Sequence, residues 1–160
     1  MSSTLRLLVL LAFSVSASAF AADKPFDPAR DPASDLKAAE AKAQAEHKNI
    51  LLDVGGNWCG WCLVLDRFTR EQPELRERLD RFVVLHVNFS PENQNREFFS
   101  HYPKASGFPF FYVLSPDGRL LKAQSTDAFE SDHVLGHGYS ADRLKEFFDR
   151  WSALSGMSGS

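Results

Sequence analysis

The sequence predicts a single α/β domain built on a central mixed β-sheet flanked by helices. Three observations carry that expectation. Short apolar runs rich in β-branched and aromatic residues alternate with longer stretches of helical periodicity. The turn signal Ser115-Pro116-Asp117-Gly118 joins two late strands as an antiparallel hairpin, whereas the earlier strands are linked through helices. A last amphipathic segment, with Leu144, Phe147, Phe148 and Trp151 on one face, closes the chain.

The elements follow in order. Residues 1–21 read as a cleaved signal peptide: Arg6 is a short positive n-region, Leu7 to Phe13 an apolar core, and Ala19-Phe20-Ala21 a small-x-small cleavage site. The apolar run is too short to span a bilayer, and no cysteine follows it to take a lipid. Residues 22–33, with Pro25, Pro28 and Pro32, form an irregular arm. The domain proper is expected over residues 34–154, followed by a flexible tail at 155–160 rich in small residues. Ser34 caps a first helix running to about Lys48, and Ile50–Val54 is a strand apolar on both faces and hence central. A helix from the cysteine pair carries Trp61, Val64, Leu65 and Phe68 at helical spacing, and Pro73 opens another with Leu75 and Leu79 facing inward. Arg81–Phe89 is a second buried strand, a short helix lies near Arg96–Tyr102, and Phe110–Leu114 pairs with Arg119–Gln124. Ser125–His137 has no clear pattern beyond a possible short strand at His133–Leu135. Ser140 caps the final helix.

Composition narrows the function classes. The net charge of −3 becomes −4 once Arg6 is removed, and no Lys/Arg run accompanies it, which argues against nucleic acid or an anionic membrane as partner. Fourteen phenylalanines point to an aromatic-rich core. The mature chain of about 139 residues suits one core.

The only two cysteines stand three apart in Trp58-Cys59-Gly60-Trp61-Cys62, where a buried strand hands over to the first turn of a helix. A thiol there meets unpaired backbone N–H groups and the positive end of the helix dipole, both of which favour thiolate. A purely structural disulfide across so short a loop contributes roughly 2 kcal/mol, against about 3 for a fifteen-residue loop. A zinc site normally needs a second ligand pair, and Leu63 in place of His removes the c-type haem pattern. A redox dithiol fits best, with metal and structural roles left open. Outside the cytosol such a pair is oxidised unless something maintains it.

Four features in order resemble the thioredoxin family and cover most of residues 34–154. Asp53 lies six residues before Cys59, where the family carries a buried acid. Trp58-Cys59-Gly60-Trp61-Cys62 matches its Trp-Cys-x-x-Cys motif. Gly107-Phe108-Pro109, followed by an apolar strand and Asp117-Gly118, resembles its cis-proline loop and hairpin, and Gly138 precedes the final helix. With Gly55-Gly56-Asn57 before the motif, the chain is most similar to secreted bacterial thioredoxin-like disulfide oxidoreductases. It departs from thioredoxins proper at Trp61, where they have proline and strongly oxidising relatives have histidine. No lysine follows Cys62.

The resemblance implies a thioredoxin-like fold and an exported thiol–disulfide oxidoreductase that is periplasmic or, alternatively, secreted. Its partners would be protein disulfides or dithiols and a thiol–disulfide electron donor or acceptor. Its only redox group would be the Cys59–Cys62 pair, with no other cofactor and no metal. In that reading Cys59 attacks, Cys62 resolves, and Asp53 exchanges a proton with Cys62; the plain alternative for Asp53 is an acid bonded to the adjoining turn. Trp58, Gly60, Trp61, Phe108 and a cis Pro109 would contact substrate, with Trp58 expected to be the more packed tryptophan and Trp61 the more exposed. His86, His101, His133 and His137 are scattered singly and read as ordinary surface or core residues. Reductase or interchange chemistry is favoured over oxidase or isomerase activity, and a non-catalytic binding module is the alternative from another class. Protein recovered from its native compartment is expected to begin at Ala22 by intact-mass measurement; an N-terminus retaining residues 1–21 would contradict the leader.

Overall fold

A computed structural model describes residues 24–131 and 138–154. The leader at 1–21, the suggested strand at His133–Leu135 and the tail at 155–160 lie outside the described residues. Helix α1 (Pro32–Glu46) is capped by Asp31, whose carboxylate accepts from Ala33 N, with Pro32 at the first helical position. The helix thus starts earlier than the expected Ser34 cap. Pro32 has no N–H to satisfy and its fixed φ suits the first turn, so Asp31 outcompetes Ser34 as the cap. The chain leaves α1 through His47 at φ 53.

Strand β1 (Asn49–Gly55) follows and is buried along its whole length. Helix α2 (Gly60–Glu71), helix α3 (Pro73–Leu79) and strand β2 (Phe82–Asn88) lead to the short α4 (Arg96–Phe99). Strand β3 (Phe110–Leu114), strand β4 (Leu120–Ser125), a 3₁₀ turn at Thr126–Phe129 and helix α5 (Ala141–Ser152) complete the domain. The sheet order is β2-β1-β3-β4, with β1 parallel to β2 and antiparallel to β3, and β3 antiparallel to β4. This is the mixed α/β architecture that the sequence predicts.

Alternation along β1 divides the core. Ile50, Leu52 and Val54 face α1, whose Ala39 and Ala43 let the helix approach closely. Leu51 faces the other way, with Leu65, Leu75, Phe111, Leu144, Phe147 and Phe148. At the base of β1, the buried Asn49 amide donates to the carbonyls of Trp151 and Ala153 and so satisfies the end of α5. In the β3–β4 hairpin, Gly118 takes φ 82, a conformation L side chains rarely adopt.

The arm is part of the core. Phe26 is completely buried beside Cys59 and Cys62. Its backbone and the Asn57 amide are joined twice: Phe26 N donates to Asn57 Oδ1 at 3.3 Å, and Asn57 Nδ2 donates to Phe26 O at 2.5 Å. Asn93 Nδ2 donates to Pro28 O at 2.9 Å, fixing the arm to the loop after β2. Phe26→Ala is expected to lower the unfolding free energy by about 3 kcal/mol or more, with an unchanged m-value in urea. A loss below about 0.5 kcal/mol, as for a surface residue, would mean that the arm does not pack here.

Candidate active site

The redox pair is set by the start of α2. Cys59 is the N-cap, with extended φ and ψ, and its Sγ accepts from Cys62 N at 3.2 Å. Cys59 O accepts from Cys62 N and from Leu63 N. A disulfide joins Cys59 and Cys62, with the Cα atoms 5.2 Å apart. Cys59 keeps 6% of its surface exposed and Cys62 none. At Gly60 a Cβ would meet nothing within 4 Å, so the approach over the first turn is open.

Glycine is required where β1 meets α2. A Cβ at Gly55 would stand 2.6 Å from Cys62 Sγ and 3.0 Å from the Phe26 ring. Asp53 and Gly55 are two apart in a strand and share a face, so Asp53 is aimed at the same side of α2. Asp53 is buried, and its Oδ1 has no hydrogen-bond partner among the described residues. Its Oδ2 lies 3.5 Å from His86 Nε2. Burial pushes the Asp53 carboxyl up to about 6, with His86 opposing that rise and Asp66 adding to it.

The Phe108–Pro109 bond is cis, as the resemblance implied. Phe108 O stands 3.6 Å from Cys59 Sγ, and Pro109 O accepts from the buried Thr126 hydroxyl at 2.7 Å. The two tryptophans reverse their expected roles. Trp58 is 55% exposed, its indole N–H held by Phe89 O at 2.7 Å and its ring edge-on to Phe108. Trp61, within the first turn of α2, points back onto Tyr139 and is partly buried. The indole anchor lies at the rim for Trp58 and leaves a face open, whereas Trp61 is on the packed side of the helix.

Of the predicted site residues, Trp61 and Phe108 pack against Cys59 and Cys62, Pro109 follows Phe108 through the cis bond, Trp58 joins at the rim through Phe108, and Gly60 leaves the approach clear. Asp53 lies behind them, and Trp61 reaches from the cysteines to Tyr139. Three further residues of the site were not singled out from the sequence. Phe26 backs Cys62. Asp66, one turn beyond Cys62 on α2, is buried and paired with Arg70 at 2.8 Å. His86 is the β2 residue in register with Asp53. A charged residue among Cys62, Leu65 and Thr69 on a buried helix face was the available signal for Asp66. His101 is exposed and away from the pair, and His133 and His137 lie outside the described residues. Among the described residues no group of three or more His, Cys, Asp or Glu side chains is arranged to hold a metal ion.

A thioredoxin-like family model matches residues 31–116. The chain belongs to the thioredoxin-like family. It carries that family's Cys-x-x-Cys disulfide and is a thioredoxin-like thiol–disulfide oxidoreductase. The thiol:disulfide interchange protein DsbD of Pseudomonas fluorescens is 29% identical over 109 residues, which cover 68% of this chain and 18% of that protein. The chain thus spans less than a fifth of that relative's length. A solved disulphide isomerase from Xylella fastidiosa Temecula1 superposes with a TM-score of 0.67 at 25% identity, covering 81% of this chain and 98% of that one. The reduced DsbD C-terminal domain of Neisseria meningitidis gives a TM-score of 0.53 at 25% identity, over 76% of this chain and 96% of the other.

The raised Asp53 carboxyl of this thioredoxin-like domain has a consequence for stability. Its value in the folded protein lies above the ordinary 3.8, so the folded state holds this proton more tightly than the unfolded chain does. The contribution is therefore fully present below about pH 4 and is lost as pH rises through about 6. Asp53→Asn is expected to stabilise the oxidised protein on the order of 2–3 kcal/mol at pH 8 and to change little near pH 4. Urea unfolding at the two pH values reads this directly, and an equal effect at both would refute it.

Proposed function

We propose that this domain is an exported enzyme that reduces or exchanges disulfides in protein substrates through a mixed disulfide on Cys59. Support comes first from the asymmetry of the pair. The outer sulfur sits at a helix N-cap and receives a backbone N–H, while the inner one is sealed beneath it. The first arrangement favours thiolate and the second favours thiol.

In the reduced enzyme the Cys59 thiolate attacks one sulfur of a substrate disulfide. The substrate S–S bond breaks, a Cys59–substrate disulfide forms, and the released thiolate takes a proton from water. Cys62 then gives its proton to the Asp53 carboxylate, and its thiolate attacks Cys59 Sγ. The mixed disulfide breaks, the Cys59–Cys62 disulfide forms, and the second substrate thiolate leaves to be protonated by solvent. Two electrons have passed from the dithiol to the substrate. A partner dithiol must restore the reduced pair, and the pair itself is the only redox group the cycle needs.

The substrate face joins Trp58 and Phe108 to an apolar groove of about 350 Å³ floored by Val54, Phe89, Phe99, Tyr102 and Tyr112. Phe108 stacks on Phe89 at its mouth, and Arg96 and Lys104 also line it. An extended polypeptide lying along the Phe108-Pro109 segment would reach Cys59 and the groove together. Export rests on the leader read from the sequence, and a periplasmic setting would supply disulfide-bonded substrates.

Cys62→Ser is expected to trap covalent adducts with a disulfide-bonded polypeptide, visible on non-reducing gels and by mass. Cys59→Ser is expected to form none, and the Cys59 thiol in the reduced enzyme to titrate below the 8.5 of free cysteine. Absence of any adduct with Cys62→Ser would turn the reading toward a binding module.

A further inference from the structure

A buried acid that takes a proton from Cys62 in each cycle must lose it again before the next, and only 8% of the Asp53 side chain is exposed. We propose that His86 is the outlet through which Asp53 exchanges that proton with solvent, and that Asp66 holds the imidazole in place for it. The inference rests on the reading of Asp53 given above.

The geometry is a bridge from inside to outside. His86 Nε2 lies 3.5 Å from Asp53 Oδ2 and 3.7 Å from Asp66 Oδ1, so one nitrogen faces both carboxylates. Both carboxylates are under 10% exposed, whereas the His86 side chain is 33% exposed. The imidazole is thus the most exposed of the three groups and lies beside the buried acid. Its separations are longer than direct hydrogen bonds. A cavity of about 80 Å³, walled by Asp53, Asp66, Arg70 and His86, adjoins them. That volume accommodates water molecules, and these polar groups could bind them. Apart from Thr69, the remaining walls are the apolar Leu51, Leu65, Leu79, Val84 and Phe111.

Charged and polar groups face the imidazole from several elements. From α2, Asp66 faces the imidazole and is itself held by Arg70 at 2.8 Å. From β1 there is Asp53, and before α5 there is Tyr139, whose hydroxyl burial drives upward and which feels the Asp53 charge. The arm offers only Phe26, edge-on to the His86 ring at 5.5 Å and packed on Cys62, which closes that side. Imidazole is the side chain that ordinarily exchanges protons near neutrality. His86 acts through Asp53 and not on the substrate, so it is a positioning and relay residue.

The proton path balances simply. Cys62 S–H gives its proton to the Asp53 carboxylate, Asp53 passes it to neutral His86 directly or through one water, and the imidazolium releases it to bulk water. No electron moves in this branch.

The test uses the full chain in single-turnover experiments that resolve mixed-disulfide formation from substrate release. His86→Gln keeps a polar side chain but cannot carry the proton. It is expected to leave formation of the mixed disulfide within about twofold and to slow release roughly tenfold or more. The slowed release is then expected to rise with the concentration of added imidazole, while release by the wild type is insensitive to it. Asp66→Asn, which keeps the imidazole but removes one of its two anchors, is expected to slow release by a smaller factor with weaker dependence on imidazole. Release by His86→Gln at the wild-type rate would overturn the proposal. Equal slowing of both steps with no imidazole dependence would overturn it too, because a merely structural histidine behaves that way. Should His86→Gln fail to fold, wild-type release by Asp66→Asn overturns it instead. Failure of the parent reading has its own signature: no adduct with Cys62→Ser in an otherwise wild-type background.

Discussion

An ionised carboxylate inside a strand buried on both faces loses its hydration at a cost of several kcal/mol, unless a proton or a partner compensates. Asp53 stands under that constraint because β1 lies between β2 and β3 and α2 is drawn down onto it. The close approach is possible only because Gly55 has no Cβ to meet Cys62 Sγ. One contact therefore does two things. It sets the inner cysteine beneath the outer one, and it helps to bury the acid two residues earlier in the strand. The apolar packing of Leu144, Phe147 and Phe148 on the same face of the sheet offsets the electrostatic cost.

The difference between the two sulfurs follows from the same arrangement. At Cys59 the helix terminus offers N–H groups and a partial positive charge, which favour the anion. At Cys62 the neighbours include Phe26, Trp61, Gly55 and the disulfide partner, and its complete burial favours the neutral thiol. Both effects act in one direction. Trp61 packs between the cysteines and Tyr139, and the rim is left to Trp58 and Phe108.

Most of the fold was legible from local signals. The apolar run of β1, the proline opening α3, the Ser115–Gly118 turn and the Ser140 cap each encode their element within a few residues, and each appears where the sequence places it. The cysteine pair and the loop at Phe108-Pro109 were legible through the family pattern. What escaped was long-range. Phe26 looks like one apolar residue in a proline-rich arm, and only its pairing with Asn57 carries it into the core. His86 reads as an ordinary strand histidine until the parallel register sets it beside Asp53. The reversal of Trp58 and Trp61 has a similar origin: the Phe89 carbonyl that anchors the Trp58 indole comes from the end of another strand.

Strand alternation also separates the two kinds of traffic that the proposed cycle requires. Val54 floors the apolar groove on one face of β1, and Asp53, its immediate neighbour, lines the small cavity beside His86 on the other. A polypeptide that covers Trp58 and Phe108 dries the first face, which strengthens electrostatic effects at the sulfurs. It leaves His86 and Arg70 uncovered on the second. The resolving cysteine can then shed its proton through the back of the sheet while the mixed disulfide still occupies the front. Entry of substrate and exit of the proton need not compete for the same opening, although the residues that serve them are adjacent in the chain.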